Sequence, residues 1–170
     1  MSTSFKPKKS VALSGVVAGN TAVCTVGKTG NDLHYRGYDI LDLANTCEFE
    51  EVAFLLVHGK LPNSKELKQY KNKLITLRDL PEALKTTLEQ MPKTAHPMDV
   101  MRCTSSVLGT IEPEGGERTA ISIAIRLVAL FGPCLLYWHH FLRSGLRLQT
   151  ATDPRDSIAE NFMKLLLLKL

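Results

Sequence analysis

The spacing of apolar residues changes once along the chain. Residues 1–10 are polar and read as a flexible lead. From Val11 to Val26, valines and threonines are punctuated by Gly15, Gly19 and Asn20. That pattern predicts short strands over 11–19 and 20–26, joined by turns. Gly27 to Asp32 reads as another turn and Leu33-His34-Tyr35 as a third strand, so a β element is expected over 11–36.

After Tyr38 the period becomes helical. Asp39 is placed to cap Ile40 to Ala44. Phe49, Val52, Ala53, Leu55 and Leu56 then mark one helical face, with Glu48, Glu50 and Glu51 in the first turn, where the helix dipole favours acids. Gly59 and Pro62 stop that helix. Asn63 and Glu66 form a capping pair for a helix carrying Leu67, Tyr70, Leu74 and Leu77. Pro81 opens the next, Ala83 to Met91. Pro97 opens another, through Met101 and Leu108, which Gly109 is expected to stop. Residues 112–118 read as an acidic, glycine-containing loop.

Ala120 to Phe131 is apolar apart from Arg126, as in a helix buried on most sides. Gly132-Pro133 is expected to break it, with Cys134 to Leu142 resuming. Asp153-Pro154 is a cap and first-turn pair for a last helix running to the end of the chain. That helix carries Leu165 to Leu168 and Leu170, with leucine on every side. This predicts a mainly α fold of about seven packed helices behind a short β element, with 37–170 as an incomplete helical domain.

Composition agrees with that reading. The chain has 170 residues, 44% apolar, 22% charged and only 6% aromatic, which disfavours disorder and an all-β sandwich. No stretch reaches the roughly 18 uncharged apolar residues of a membrane span, so no membrane partner is expected. Lys+Arg is 21 against 17 Asp+Glu, a net charge of +4. The one tight basic cluster, Lys6, Lys8 and Lys9, reads as a solvated tail, with a transit peptide as the second reading. No nucleic-acid partner is expected. Cys24, Cys47, Cys103 and Cys134 are too widely spaced for a zinc site or a disulfide framework, and read as reduced thiols in a cytoplasmic protein.

Candidate chemistry is sparse. Gly27-Lys28-Thr29 lacks the earlier glycine of a phosphate loop. His139 and His140 are adjacent and point about 100° apart on a helix, so they do not grip one metal ion. His96 reads as a helix entrance, His58 as a favourable cation at a helix C-terminus, and Glu50-Glu51 as first-turn acids. Cys24 and Cys103 have no histidine close in sequence. No catalytic residue and no metal ligand is assigned, and the substrate-binding residues are unknown.

Three segments carry a family resemblance. Tyr35-Arg36-Gly37-Tyr38 with Ile40 and Leu43 resembles the "YRGY-x-I-x-x-L" segment of bacterial citrate synthases. Phe49 to Pro62 resembles their "FEEVAxLLxHGxLP" segment, and His96-Pro97-Met98 their "HPM" helix start. Val11 to Gly27, Leu135 to His140 and Ser157 to Phe162 extend the likeness, with 2-methylcitrate synthases as the closest branch. The resemblance implies the N-terminal part of a mostly helical large domain, with Arg36, His58 and His96 structural. The family forms homodimers that condense an acyl-CoA with oxaloacetate. This branch implies propionyl-CoA as substrate, 2-methylcitrate as product and propionate catabolism, with no cofactor beyond the CoA thioester itself.

In this family a carboxylate removes the α-proton, histidines stabilise the enol and the oxaloacetate carbonyl, and arginines hold the carboxylates. The histidines lie in "HGGAN"-like and "GFGHxVY"-like segments, which these 170 residues do not contain. Gly115-Gly116 does not match them. The chain is therefore expected to be inactive alone. A helical fragment that binds a partner subunit through its apolar C-terminus, and a citrate synthase using acetyl-CoA, are the alternatives. Phe131-Gly132-Pro133 and Leu167 to Leu170 depart from the family pattern, and a frameshift, a premature stop or an incomplete gene model would explain the latter.

Overall fold

The computed structural model describes residues 19–27, 32–151 and 153–168. The lead over 1–10, most of the strand expected over 11–19, and Lys28-Thr29 of the phosphate-loop reading lie outside them. Within the described residues the order is three short strands and then seven helices.

The sheet is antiparallel, with β1 (Cys24–Val26), β2 (Leu33–Tyr35) and β3 (Tyr38–Asp39) in that order. Strand β2 is where the pattern places it. Strand β3 was not expected, and the sheet runs past residue 36. The missed signal is Arg36-Gly37, a two-residue connection with Tyr35 paired to Tyr38. Both turn residues have positive φ, +51° and +90°, as a tight hairpin with the twist of its strands demands. Arginine is unusual in that conformation. Its guanidinium holds it there, donating to the carbonyls of Ala22 at 3.3 Å and Leu56 at 2.9 Å.

Asp39 caps α1 (Ile40–Thr46), its carboxylate accepting from Leu41 N–H at 2.7 Å. Helix α2 (Phe49–His58) stops at Gly59, which is left-handed at φ +83°. Its inner face is Ala53, Phe54 and Leu55, whereas Phe49 is 56% exposed and Leu56 half-buried, a rotation from the expected face. Asn63 and Glu66 form the expected reciprocal cap on α3 (Ser64–Thr76), which buries Tyr70 and Leu74. Helix α4 (Glu82–Glu89) follows Pro81. Helix α5 (Pro97–Ile111) starts as expected but runs through Gly109.

The largest correction is α6 (Ala120–Ser144), one helix of 25 residues with Pro133 inside it. Proline there forfeits one backbone hydrogen bond and costs roughly 3 kcal/mol in an isolated helix. Packing outweighs that cost. Leu130, Cys134, Leu136 and Tyr137 around the proline are all buried, and a buried leucine alone contributes roughly 1.5–3 kcal/mol. Gly132 also has a packing role: a Cβ there would come within 3.1 Å of the Phe162 ring. As one helix, α6 is long and apolar enough to cross a membrane by length and composition. Here it is the central post, packed by α2, α3, α4, α5 and α7.

Helix α6 joins two apolar clusters. The larger holds Leu84, Leu88, Val100, Leu130, Tyr137 and Leu165; the smaller holds Phe54, Tyr70, Leu74, Ile125 and Ala129. The last helix, α7 (Ile158–Leu166), is shorter than expected. Ser157, not Asp153, is its cap, paired reciprocally with Glu160. Asp153 instead grips the Arg155 side chain in the preceding turn. Among the described terminal leucines only Leu165 is buried; Leu167 is 68% exposed.

Candidate functional site

Buried charge is concentrated where α2, α3 and α7 meet, around a cleft of about 370 Å³. Helix α2 carries Glu50 inward on its first turn, where the residue is 3% exposed. Its Oε1 accepts the Ile158 N–H at 2.7 Å, so a carboxylate on one helix caps the start of another. Arg78, just beyond α3, is 4% exposed and donates through Nη2 to the Asp156 carbonyl at 2.6 Å. Asp156 in turn pairs with Lys164, and Lys71 with Glu48 at the rim. Tyr70 lies beneath, its phenol pushed up to about 12 by burial and by the Glu50 charge. Each buried charge has an opposite one close by. The arrangement fixes α7 on the helical body and offers no free acid–base pair.

A second polar cleft, of about 480 Å³, lies between the end of α3 and the start of α6. Arg126 spends its guanidinium there on Glu112 Oε1 at 2.9 Å and on the carbonyls of Leu77 at 2.6 Å and Asp79 at 3.1 Å. Arg118 joins Glu112 from the 112–118 loop at 2.7 Å. Burial pushes the Glu112 carboxyl up, but the hydrogen bonds from Arg126 and Arg118 outweigh it and hold the group below the ordinary range. The lone charge of the apolar α6 segment is therefore a tether to two neighbouring segments.

The five histidines fall at four separate places, His139 and His140 being neighbours. His34 sits on β2 with Nδ1 at 2.8 Å from Asp32. His58 packs on Phe54 at the end of α2, its pKa lowered by burial and then by Lys73. His96 caps α5, its Nδ1 accepting from Met98 N–H at 3.2 Å, as a helix entrance should. His140 is buried, with Nε2 at 2.7 Å from the Leu165 carbonyl, so it ties the end of α6 to α7. His139, next to it, sets its ring edge-on to the His140 ring with centroids 5.2 Å apart, and its pKa is lowered by burial, Arg143 and His140. Neither polar cleft is lined by a histidine. Cys134 is a core thiol pushed up to about 12 by burial. Gly115 and Gly116 lie in the turn that positions Arg118. Among the described residues, no three His, Cys, Asp or Glu side chains come together as a metal site.

Sequence reasoning left the Glu50, Arg78 and Asp156 grouping unread. Glu50 is the first-turn acid that the pattern predicts, but its inward position follows from the rotation of α2. Arg78 and Asp156 lie in connecting segments, where periodicity gives no face.

Against known proteins, the family model described as citrate synthase, C-terminal domain, matches residues 12–168. The 2-methylcitrate synthase of Shewanella oneidensis is 48% identical over 154 residues, covering 91% of this chain and 41% of that protein. The 2-methylcitrate synthase 2 of Corynebacterium glutamicum is 40% identical over 157 residues, covering 90% of this chain and 40% of that one. The crystal structure of citrate synthase from Thermotoga maritima MSB8 superposes with a TM-score of 0.77 at 29% identity, covering 92% of this chain and 41% of the other. The chain thus spans about two fifths of the length of these relatives. A match over nearly every described residue, in sequence and in the helical framework around α6, means that the chain belongs to the citrate synthase family.

Proposed function

We propose that this chain supplies the N-terminal framework of a citrate synthase-type condensing enzyme, in the branch that joins propionyl-CoA to oxaloacetate. The observation that carries this reading is the 48% identity to a 2-methylcitrate synthase across 91% of the chain. In that reaction the acyl α-carbon loses a proton and bonds to the ketone carbon of oxaloacetate. Water then cleaves the thioester and CoA leaves as the free thiol. The thioester is a substrate, and no resident cofactor is invoked.

The chain's own groups are framework in this reading. Proton transfer next to a thioester needs a base and hydrogen-bond donors converging on one small volume. Glu50, Arg78 and Asp156 are committed to fixing α7, and Arg126 and Glu112 to each other. Each histidine sits apart from both clefts. We therefore expect the 170-residue chain alone to release no CoA above blank from propionyl-CoA and oxaloacetate, with acetyl-CoA as the parallel substrate. A thiol-release assay decides it: turnover with propionyl-CoA would overturn the framework reading, and preference for acetyl-CoA would overturn the branch.

A second reading, a non-enzymatic helical fragment seated on a partner subunit, is favoured by one observation. A groove of about 630 Å³ between α5, α6 and α7 is lined by apolar residues throughout, Phe131 and Met163 among them. The homodimer expected of the family would use such a surface.

A further inference from the structure

The three strands and α1 are held differently from the rest of the molecule. Each of α2 to α7 buries two or more side chains. Of the described residues in 19–47, Leu43 alone is buried. Helix α1 packs on β2 and β3, and neither it nor any strand packs on α2 to α7 to a comparable extent. Val26 is 71% exposed and Leu41 67%. A segment with so few buried apolar contacts has a low free energy of local opening.

One side chain fastens this unit. Among the described residues, a single hydrogen bond crosses from it to the helical body: Arg36 Nη2 donates to the Leu56 carbonyl at 2.9 Å. Leu56 lies in the last turn of α2, where carbonyls lack an intrahelical partner and the helix dipole favours a cation. The same arginine gathers its own unit. Its backbone N–H donates to the Val23 carbonyl at 2.9 Å, and Nη1 to the Ala22 carbonyl at 3.3 Å. Its left-handed backbone, at φ +51°, is disfavoured for an arginine and persists because these bonds over-determine it. We propose that β1, β2, β3 and α1 form a flap that lifts from the helical body as one piece, turning at Cys47 and Glu48, with Arg36 as its clasp. Both hinge residues are extended, between the end of α1 and the start of α2. Opening gives the Leu56 carbonyl and the Arg36 guanidinium back to water and exposes little apolar surface. The flap adds a moving part to the framework, and its motion does not depend on which reaction that framework serves.

Native-state hydrogen exchange of the full chain, read peptide by peptide by mass spectrometry, tests it. Amides over 33–46 are expected to open together, at least about tenfold faster than those of α4 and α6. Arg36→Gly removes the clasp and keeps the turn, because glycine accepts a positive φ. It should speed exchange across 33–46 on the order of tenfold and leave α4 and α6 as they were. Leu43→Ala should speed the same amides. Unchanged or slower exchange in Arg36→Gly would mean that the clasp does not hold the flap, and overturns the proposal. So does protection over 33–46 equal to that of α6, or α1 opening at a rate unrelated to the sheet. Faster exchange spread through α4 and α6 in both variants also overturns it. If Arg36→Gly does not fold, the unaltered chain and Leu43→Ala decide. CoA release plays no part in these readouts, so failure here and failure of the condensing-enzyme reading are distinguishable.

Discussion

The two sides of α6 are stabilised by different physics. Towards α4 and α5 it packs its own Leu130 and Tyr137 on leucines and a valine, with ion pairs confined to the margin, where Arg147 links Glu82 and Glu89. Towards α2, α3 and the start of α7 it meets a smaller apolar cluster backed by buried Glu50, Arg78 and Asp156. Apolar packing is non-directional, and its loss scales with the volume removed. Buried polar groups are directional. They add little net stability while satisfied, and cost much when one partner is removed. The first side sets how stable the helical body is. The second sets where α7 sits.

The sharpest break in that comparison is a pair of truncations. Leu130→Ala, at a fully buried position, is expected to cost about 2–5 kcal/mol through lost burial and the cavity left behind. Glu50→Ala is expected to cost less, about 1–3 kcal/mol, because it orphans the Ile158 N–H and leaves Arg78 with less compensating charge. The two differ in kind as well. Leu130→Ala should lower protection from amide exchange throughout the helices, and Glu50→Ala chiefly in α7. Urea unfolding with hydrogen exchange measures both. Uniform loss of protection in Glu50→Ala would erase the distinction between the two sides.

Acid gives the next largest effect. Glu112 has a carboxyl held below its ordinary range by Arg126 and Arg118 against the opposing effect of burial. A group depressed in the folded state contributes stability fully above its unfolded pKa, and loses it as pH falls through the folded value. The thermal midpoint should therefore drop on acidification below about pH 5. Glu112→Gln should flatten part of that slope, while Leu130→Ala should lower the whole curve and keep its shape. An unchanged slope in Glu112→Gln would mean that the Arg126 tether works through its two carbonyl bonds alone.

How much was legible in the sequence depends on what each signal reports. Caps are local: Asp39, Asn63 with Glu66, and His96 ahead of Pro97 each sit where the pattern puts them, because their partners lie within four residues. The family resemblance was likewise carried by contiguous segments. Gly132-Pro133 was misread because its outcome depends on Phe162, thirty residues away, and on the leucines packed around it. The Glu50, Arg78 and Asp156 grouping was illegible for the same reason, since its members meet only once α7 docks.

Two glycines give the smallest and cleanest test of that division. Gly59 and Gly109 both follow an apolar helical run, and the pattern reads both as stops. Gly59 is left-handed at φ +83° and does end its helix, its N–H bonding to the Leu55 carbonyl at 2.8 Å. Gly109 lies inside α5, where an added Cβ would meet nothing within 4 Å. The same substitution should therefore act in opposite directions. Gly59→Ala forces an L-residue into the left-handed region and should cost about 1–2 kcal/mol. Gly109→Ala removes a poor helix former from an exposed helical position and should gain about 0.5–1 kcal/mol. Chemical denaturation of the two variants side by side reads the sign directly. If both destabilise, α5 meets a neighbour at Gly109 in solution, and the open surface of the helical body is smaller than its α5 face indicates.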